Sequence, residues 1–89
     1  MYSNVKNSKK IVKLQISVET TNEKEVEILA NKSYLIKDIA NKIIRNSEES
    51  DLAGKEGQIK LQELIKEELL ESFKSQTISD VYFDQYVIQ

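Results

Sequence analysis

Val12-Lys13-Leu14-Gln15-Ile16-Ser17-Val18-Glu19 alternates apolar and polar side chains without a break. Successive side chains of an extended chain point to opposite faces, so Val12, Leu14, Ile16 and Val18 share one face and Lys13, Gln15, Ser17 and Glu19 the other. That pattern is a strand with one face in a core and one in water. A lone strand buries nothing, so the rest of the chain must supply a partner strand and a layer to cover the apolar face.

Upstream, Met1 to Lys10 is rich in Ser, Asn and Lys and shows no period, so residues 1–10 read as a flexible N-terminal segment. Downstream, Thr20-Thr21-Asn22 stops the strand, and Asn22 followed three residues later by Glu25 has the form of an N-cap with a reciprocal carboxylate. A short helix over residues 23–32 is expected from there. Ile36, Ile39, Ala40, Ile43 and Ile44 then fall at the i, i+3, i+4, i+7, i+8 spacing of one helical face, with Lys37, Asp38, Lys42 and Arg45 off it. The pattern fits either two helices or one helix kinked near Ser33-Tyr34.

Asn46 to Gly57 is turn-rich and holds both glycines, Gly54 and Gly57; it reads as a loop with one short helical turn. A longer helix is expected after Gly57, to about Ser75, striped by Leu61, Leu64, Ile65, Leu69 and Phe73. Lys60, Glu63, Glu67, Glu71 and Lys74 lie largely opposite. Ile59 and Leu70 fall outside the stripe and, with Glu67 and Glu71, are the candidate partner contacts on this helix.

The chain closes with Ser79-Asp80-Val81-Tyr82-Phe83-Asp84-Gln85-Tyr86-Val87-Ile88-Gln89, dense in β-branched and aromatic residues and therefore a second strand. Val81, Phe83 and Val87 occupy its odd face, and Tyr82, Tyr86 and Ile88 its even face. Both faces are partly apolar, so the strand is expected to be covered on two sides or to bear a subunit contact on one, with Tyr82 and Tyr86 as the candidates. The order strand, helices, strand predicts an α+β fold with a small sheet packed by helices.

Composition narrows the chemistry. The 89 residues contain no Cys and no His, which removes thiolate nucleophiles, disulfides, imidazole acid–base catalysis and zinc sites of the usual ligand set. No phosphate loop, dinucleotide fingerprint or nucleophile elbow occurs, so no cofactor and no metal is expected. The fifteen Asp and Glu leave a small carboxylate-based hydrolase as the one enzymatic reading, against the ordinary reading of so many acids as surface charge. A non-enzyme is expected. Net charge is −2, but residues 1–20 carry Lys6, Lys9, Lys10 and Lys13 against Glu19, while residues 47–75 carry eight acids against four lysines. Such a distribution does not make a nucleic-acid surface. The leading lysines read as a solvated segment, with anionic lipid headgroups the alternative. No stretch approaches the about 20 apolar residues that cross a bilayer as a helix.

The closing Asp80-Val81-Tyr82-Phe83-Asp84-Gln85-Tyr86-Val87-Ile88-Gln89 resembles the terminal signature of the C-terminal periplasmic domain of the flagellar basal-body-associated protein FliL family, a V-Y-F core followed by an acidic or polar pair, an aromatic, two aliphatics and Gln. Ile36-Lys37-Asp38-Ile39-Ala40 with Ile43-Ile44 resembles that family's I-R-D-A-I helix, and Leu52, Glu56-Gly57 and Leu61 resemble its loop and helix entry. Lys55 stands where the family usually has proline. The resemblance covers residues 11–89, taken as a single FliL-like periplasmic domain, with Val81, Phe83, Val87, Gly57, Ile36, Ile39 and Ile43 as its motif and core positions. It implies a stomatin/prohibitin (SPFH)-like fold, association into rings, and a scaffolding role beside the MotA/MotB stator units of the flagellar motor. It also implies a transmembrane helix ahead of the domain, with residues 1–10 at the point of truncation after it, and hence a periplasmic domain of a single-pass inner-membrane protein. An SPFH-like membrane scaffold unconnected with motility is the alternative within the same class.

Overall fold

In the computed structural model, which describes Met1–Gln89, the elements run β1 (Tyr2–Asn4), β2 (Ile11–Thr20), α1 (Glu23–Asn31), α2 (Ser33–Arg45), α3 (Glu49–Leu52), α4 (Gly54–Ser72) and β3 (Ile78–Ile88). The strands form one antiparallel sheet in the order β1-β2-β3, so the fold is α+β as expected. The alternating stretch is its central strand. Val12 and Leu14 are fully buried under the helices, and Ile16 and Val18 pack beside them.

Residues 1–10 are not a free tail. Ser3 pairs with Val12, Tyr2 with Lys13 and Asn4 with Ile11, while Val5 is in the core. Three residues are too few to show alternation, so this strand is defined by its pairing partner and not by its own pattern. Ser3 is buried, and its hydroxyl donates to Asn41 Oδ1 of α2 at 2.6 Å, which offsets the cost of removing it from water.

The helical region breaks at Lys32, a single residue with φ −111° and ψ 27° that ends α1 and begins α2, so two helices form. Asn22 caps α1 by accepting from Lys24 N at 3.0 Å, but the expected reciprocal bond from Glu25 is not made; Asn22 N donates to Thr20 Oγ1 instead. Glu25 is drawn to the other end of the chain, as described below. Helix α4 begins at Gly54, one turn earlier than its apolar stripe suggests. Gly54 has φ +70°, a conformation in which a side chain is strained, and this marks the corner between α3 and α4.

Gly57 is required for a different reason. A Cβ there would lie 2.4 Å from Leu52 C and 2.6 Å from Leu52 O, so α4 and α3 approach backbone to backbone at this point. Leu61, Ile65 and Leu69 continue the buried face of α4 at four-residue spacing, meeting Ile36, Ala40 and Ile44 of α2 and the inner face of β3.

The second strand carries a register shift. Leu14 pairs with Tyr86 and Gln15 with Gln85, whereas the next residue, Ile16, pairs with Phe83, leaving Asp84 as the extra residue of a β-bulge. Side-chain alternation therefore inverts at Asp84. Val81, Phe83, Tyr86 and Ile88 all face the core, while Tyr82 and Val87 face outward. The expected odd face of Val81, Phe83 and Val87 is corrected accordingly: Val87 leaves it and Tyr86 takes its place.

Candidate functional site

The helices cover one face of the sheet and leave the other open. On the open face Val87 and Tyr2 flank Lys13, whose Nζ sits 5.6 Å from the Tyr2 ring centroid, and Ile11 lies two residues along β2. A cation over an aromatic ring is a favourable pair at the surface. At the opposite end of the face stands Tyr82, 45% exposed, paired across the sheet with Ser17. Asp80 and Glu19 surround its phenol with negative charge and push its pKa above the ordinary value. Ser79 Oγ donates to Glu19 Oε1 at 2.9 Å, and Ser17 donates to Asp84. This face thus pairs exposed aromatic and aliphatic groups with lysine at one end and carboxylates at the other.

The remaining contact candidates divide. Glu67 and Glu71 are exposed on α4, and Ile59 is 44% exposed on the same helix. Leu70 is not free: it is half-buried and packs against the core. Leu64, expected within the buried stripe, is instead 37% exposed and borders a small depression beside Ser47 and Leu61. The helix rotates this way because Gly57, Leu61, Ile65 and Leu69 form a tighter four-residue row, and Leu64 lies about 100° from Ile65 around the axis.

Tyr86 points inward. Its ring stacks on Phe83 with centroids 5.2 Å apart and planes within 7°, and its hydroxyl donates to Leu52 O at 2.8 Å. Burial pushes the phenol pKa up. Leu52 is thereby held between the Tyr86 hydroxyl and the Gly57 backbone, which locks β3, α3 and α4 at one joint. Among the resemblance positions, Phe83 lies beside this joint and Gly57 within it, while Ile36 is buried and Ile39 and Ile43 are half-buried along α2.

A second joint was hidden from the sequence. Glu25 of α1 accepts hydrogen bonds from Ser75 Oγ and Thr77 Oγ1, each at 2.8 Å, with Thr20 Oγ1 3.3 Å away. Desolvation pushes the carboxyl pKa up and is the largest single influence, but the hydrogen bonds from Thr77, Ser75 and Thr20 together prevail and leave it below its ordinary 4.5. A lowered carboxyl stays ionised at neutral pH, the wrong direction for a general acid. The cluster ties the end of β2 and the start of α1 to the α4–β3 connection. Two of its three hydroxyl donors, Ser75 and Thr77, are about 50 residues away in sequence, beyond any local motif. No group of three or more Asp or Glu side chains is gathered so as to hold a metal ion.

No helix is long and apolar enough to cross a membrane. The family model described as flagellar basal body-associated protein FliL matches residues 1–89, the whole chain. No curated protein matches it.

Proposed function

The chain belongs to the flagellar basal body-associated FliL family, and from that premise we propose that it is a non-catalytic periplasmic scaffold that binds the MotA/MotB stator units and stabilises or activates them. The family match over the whole chain carries this reading and gives it its place at the flagellar basal body. The surfaces support a role by contact: an open sheet face with Tyr2, Ile11, Tyr82 and Val87 exposed, and an α4 face bearing Glu67 and Glu71. Exposed apolar groups rimmed by charge are the composition of protein-binding patches. An antiparallel sheet with helices on one face also supports the SPFH-like assignment. In this reading the domain is carried by a transmembrane helix and assembles into a ring around the stator.

Deletion of the full-length gene tests the scaffold role. Swimming and stator occupancy should fall while export of flagellar parts continues, because a protein that acts by contact supplies no step of export chemistry. Unchanged stator occupancy and torque would remove the scaffold role and leave only the family membership.

A further inference from the structure

Backbone hydrogen bonding along β2 alternates between its two neighbours. Ile11 exchanges both bonds with Gln89, at 2.9 and 2.8 Å, and at the far end Thr21 N donates to Thr77 O, so the odd residues face β3. Leu14 exchanges both bonds with Met1, at 3.0 and 2.9 Å, so the even residues face β1. The extra residues of the ladder lie in β3, and the count along β2 is unbroken. Strand β1, however, reaches only residues 11–14 of its neighbour. Ile16 and Val18 therefore turn their N–H and C=O groups to an edge on which no strand lies, and no turn or loop backbone group reaches them.

Burial changes at the same point. Val12 and Leu14, beside β1, are fully buried, whereas Ile16 and Val18 on the same face of the same strand are half-buried. A hollow of about 410 Å³ opens there, between Met1, Leu14 and Ile16 of the sheet and Ser33 and Ile36 of α2. The uncovered edge, opposite residues 15–20, takes about six residues of extended chain, about 20 Å. Side chains opposite one another across a ladder share a face. Residues opposite Ile16 and Val18 would therefore point toward the helices, on the side of Ile36, and suit apolar groups, while those opposite Gln15, Ser17 and Glu19 would point to the open face and suit polar ones. Lys37 and Asp84 border the hollow with one charge of each sign and so select neither. At the other end Glu19 and Asp80 lie side by side across β2 and β3, and neither is in an ion pair. A cation opposite Glu19 is the complement.

We propose that the edge of β2 beyond Met1 is a strand-addition site for an extended segment of another protein, which runs antiparallel to β2 in line with β1, alternates apolar with polar residues and carries Lys or Arg opposite Glu19. In this mode of recognition the main-chain bonds supply affinity and alternate side chains set specificity. What the edge offers is main-chain donors and acceptors at ladder spacing. A helix cannot match them, because it spends its own main-chain bonds internally. The antiparallel direction follows β1 and is the more stable pairing per residue. The site is separate from the open sheet face and from the Glu67 and Glu71 face of α4, and it does not depend on the partner being a stator protein.

The test is a titration of the isotopically labelled chain Met1–Gln89 with the synthetic peptide acetyl-Val-Lys-Val-Thr-Val-Thr-amide, read by NMR shifts and amide hydrogen exchange. In the free chain the Ile16 and Val18 amides should exchange about tenfold or more faster than that of Ser17, which lies between them but faces β3. With peptide, the shifts should saturate and centre on residues 15–20, and the two amides should slow to the range of Ser17. An N-methyl group on the third or fifth peptide residue, whose N–H would face Val18 or Ile16, should abolish binding. On the fourth residue, whose N–H faces away, it should not. Glu19→Lys should weaken binding about fivefold, from one lost attraction and one added repulsion. Glu19 is exposed, so circular dichroism should show the fold retained. A peptide that does not bind, equal binding of all the N-methylated peptides, unchanged affinity in Glu19→Lys, or Ile16 and Val18 amides as slow as Ser17 in the free chain would each overturn the proposal. Protection of the two amides that grows with chain concentration would assign the edge to a second copy and overturn it equally. So would protection already present in the full-length protein, which would assign the edge to residues ahead of Met1.

Discussion

Gly57 and Tyr86 both meet the carbonyl of Leu52. The Leu52 peptide is approached by α4 so closely that no Cβ fits at position 57, and its oxygen accepts the Tyr86 hydroxyl. Gly57→Ala should therefore destabilise by about 1–3 kcal/mol, since the atoms it meets are backbone and cannot swing aside. Tyr86→Phe keeps the stacked ring and loses only the donor, at a cost of about 1 kcal/mol. Urea unfolding should show both as lower midpoints with an unchanged m-value. A Gly57→Ala midpoint equal to the parent would mean that α3 shifts freely and that the joint is not rigid. Gly57 was legible in the sequence as a position of interest, but the reason for it was not, because its collision is with Leu52 in three dimensions. Tyr86 was misread for a simpler reason. Alternation counts residues, and the unpaired Asp84 adds one to the count without adding a pair.

At the scale of elements, the strand pattern of residues 12–18 and the apolar face of α2 were legible because each depends only on local periodicity. Strand β1 and the Glu25 cluster were not, because both exist only through partners distant in the chain. The cluster has a consequence for acid stability. With its folded pKa below the ordinary 4.5, Glu25 contributes stability above that value, and the contribution is lost as pH falls from there through the folded pKa. Glu25→Gln cannot ionise and would turn an amide N–H toward hydroxyls that already have donors. The thermal midpoint of Glu25→Gln should accordingly lie below that of the parent at pH 7, and the gap should close as pH is lowered past 4.5. A gap of constant size across that range would show that the carboxylate charge is not what joins α1 to the α4–β3 connection.

The molecule as a whole was legible in class and, from β2 onward, in element order, whereas which surfaces it leaves open depended on the rotation of α4 and on the inversion in β3. Leu64 and Val87 emerged, and Leu70 and Tyr86 withdrew. The exposed apolar groups are scattered over the open sheet face, α1, the start of α2 and α4, so each contact made by a free domain is small. We expect the isolated chain to sediment as a monomer at micromolar concentration. Tethering neighbours to one membrane raises their effective concentration toward about millimolar, and assembly should appear only then. A stable ring of the untethered chain would show that one of these surfaces is sufficient by itself. Strand β3 is also an outermost strand: it pairs with β2 on one side and with no strand on the other. An unpaired, β-branched strand of this length is a template for runaway fibre growth, and natural sheets guard against it with bulges and inward or flanking charges. Asp84 supplies both, a kink in the backbone and a carboxylate at the kink. Deleting Asp84 would keep the pairs Ile16–Phe83 and Gln15–Gln85 and leave Tyr86 and Ile88 inside, but it would straighten the strand and remove the guard, so the shortened chain should form thioflavin-positive fibres under conditions in which the parent stays clear.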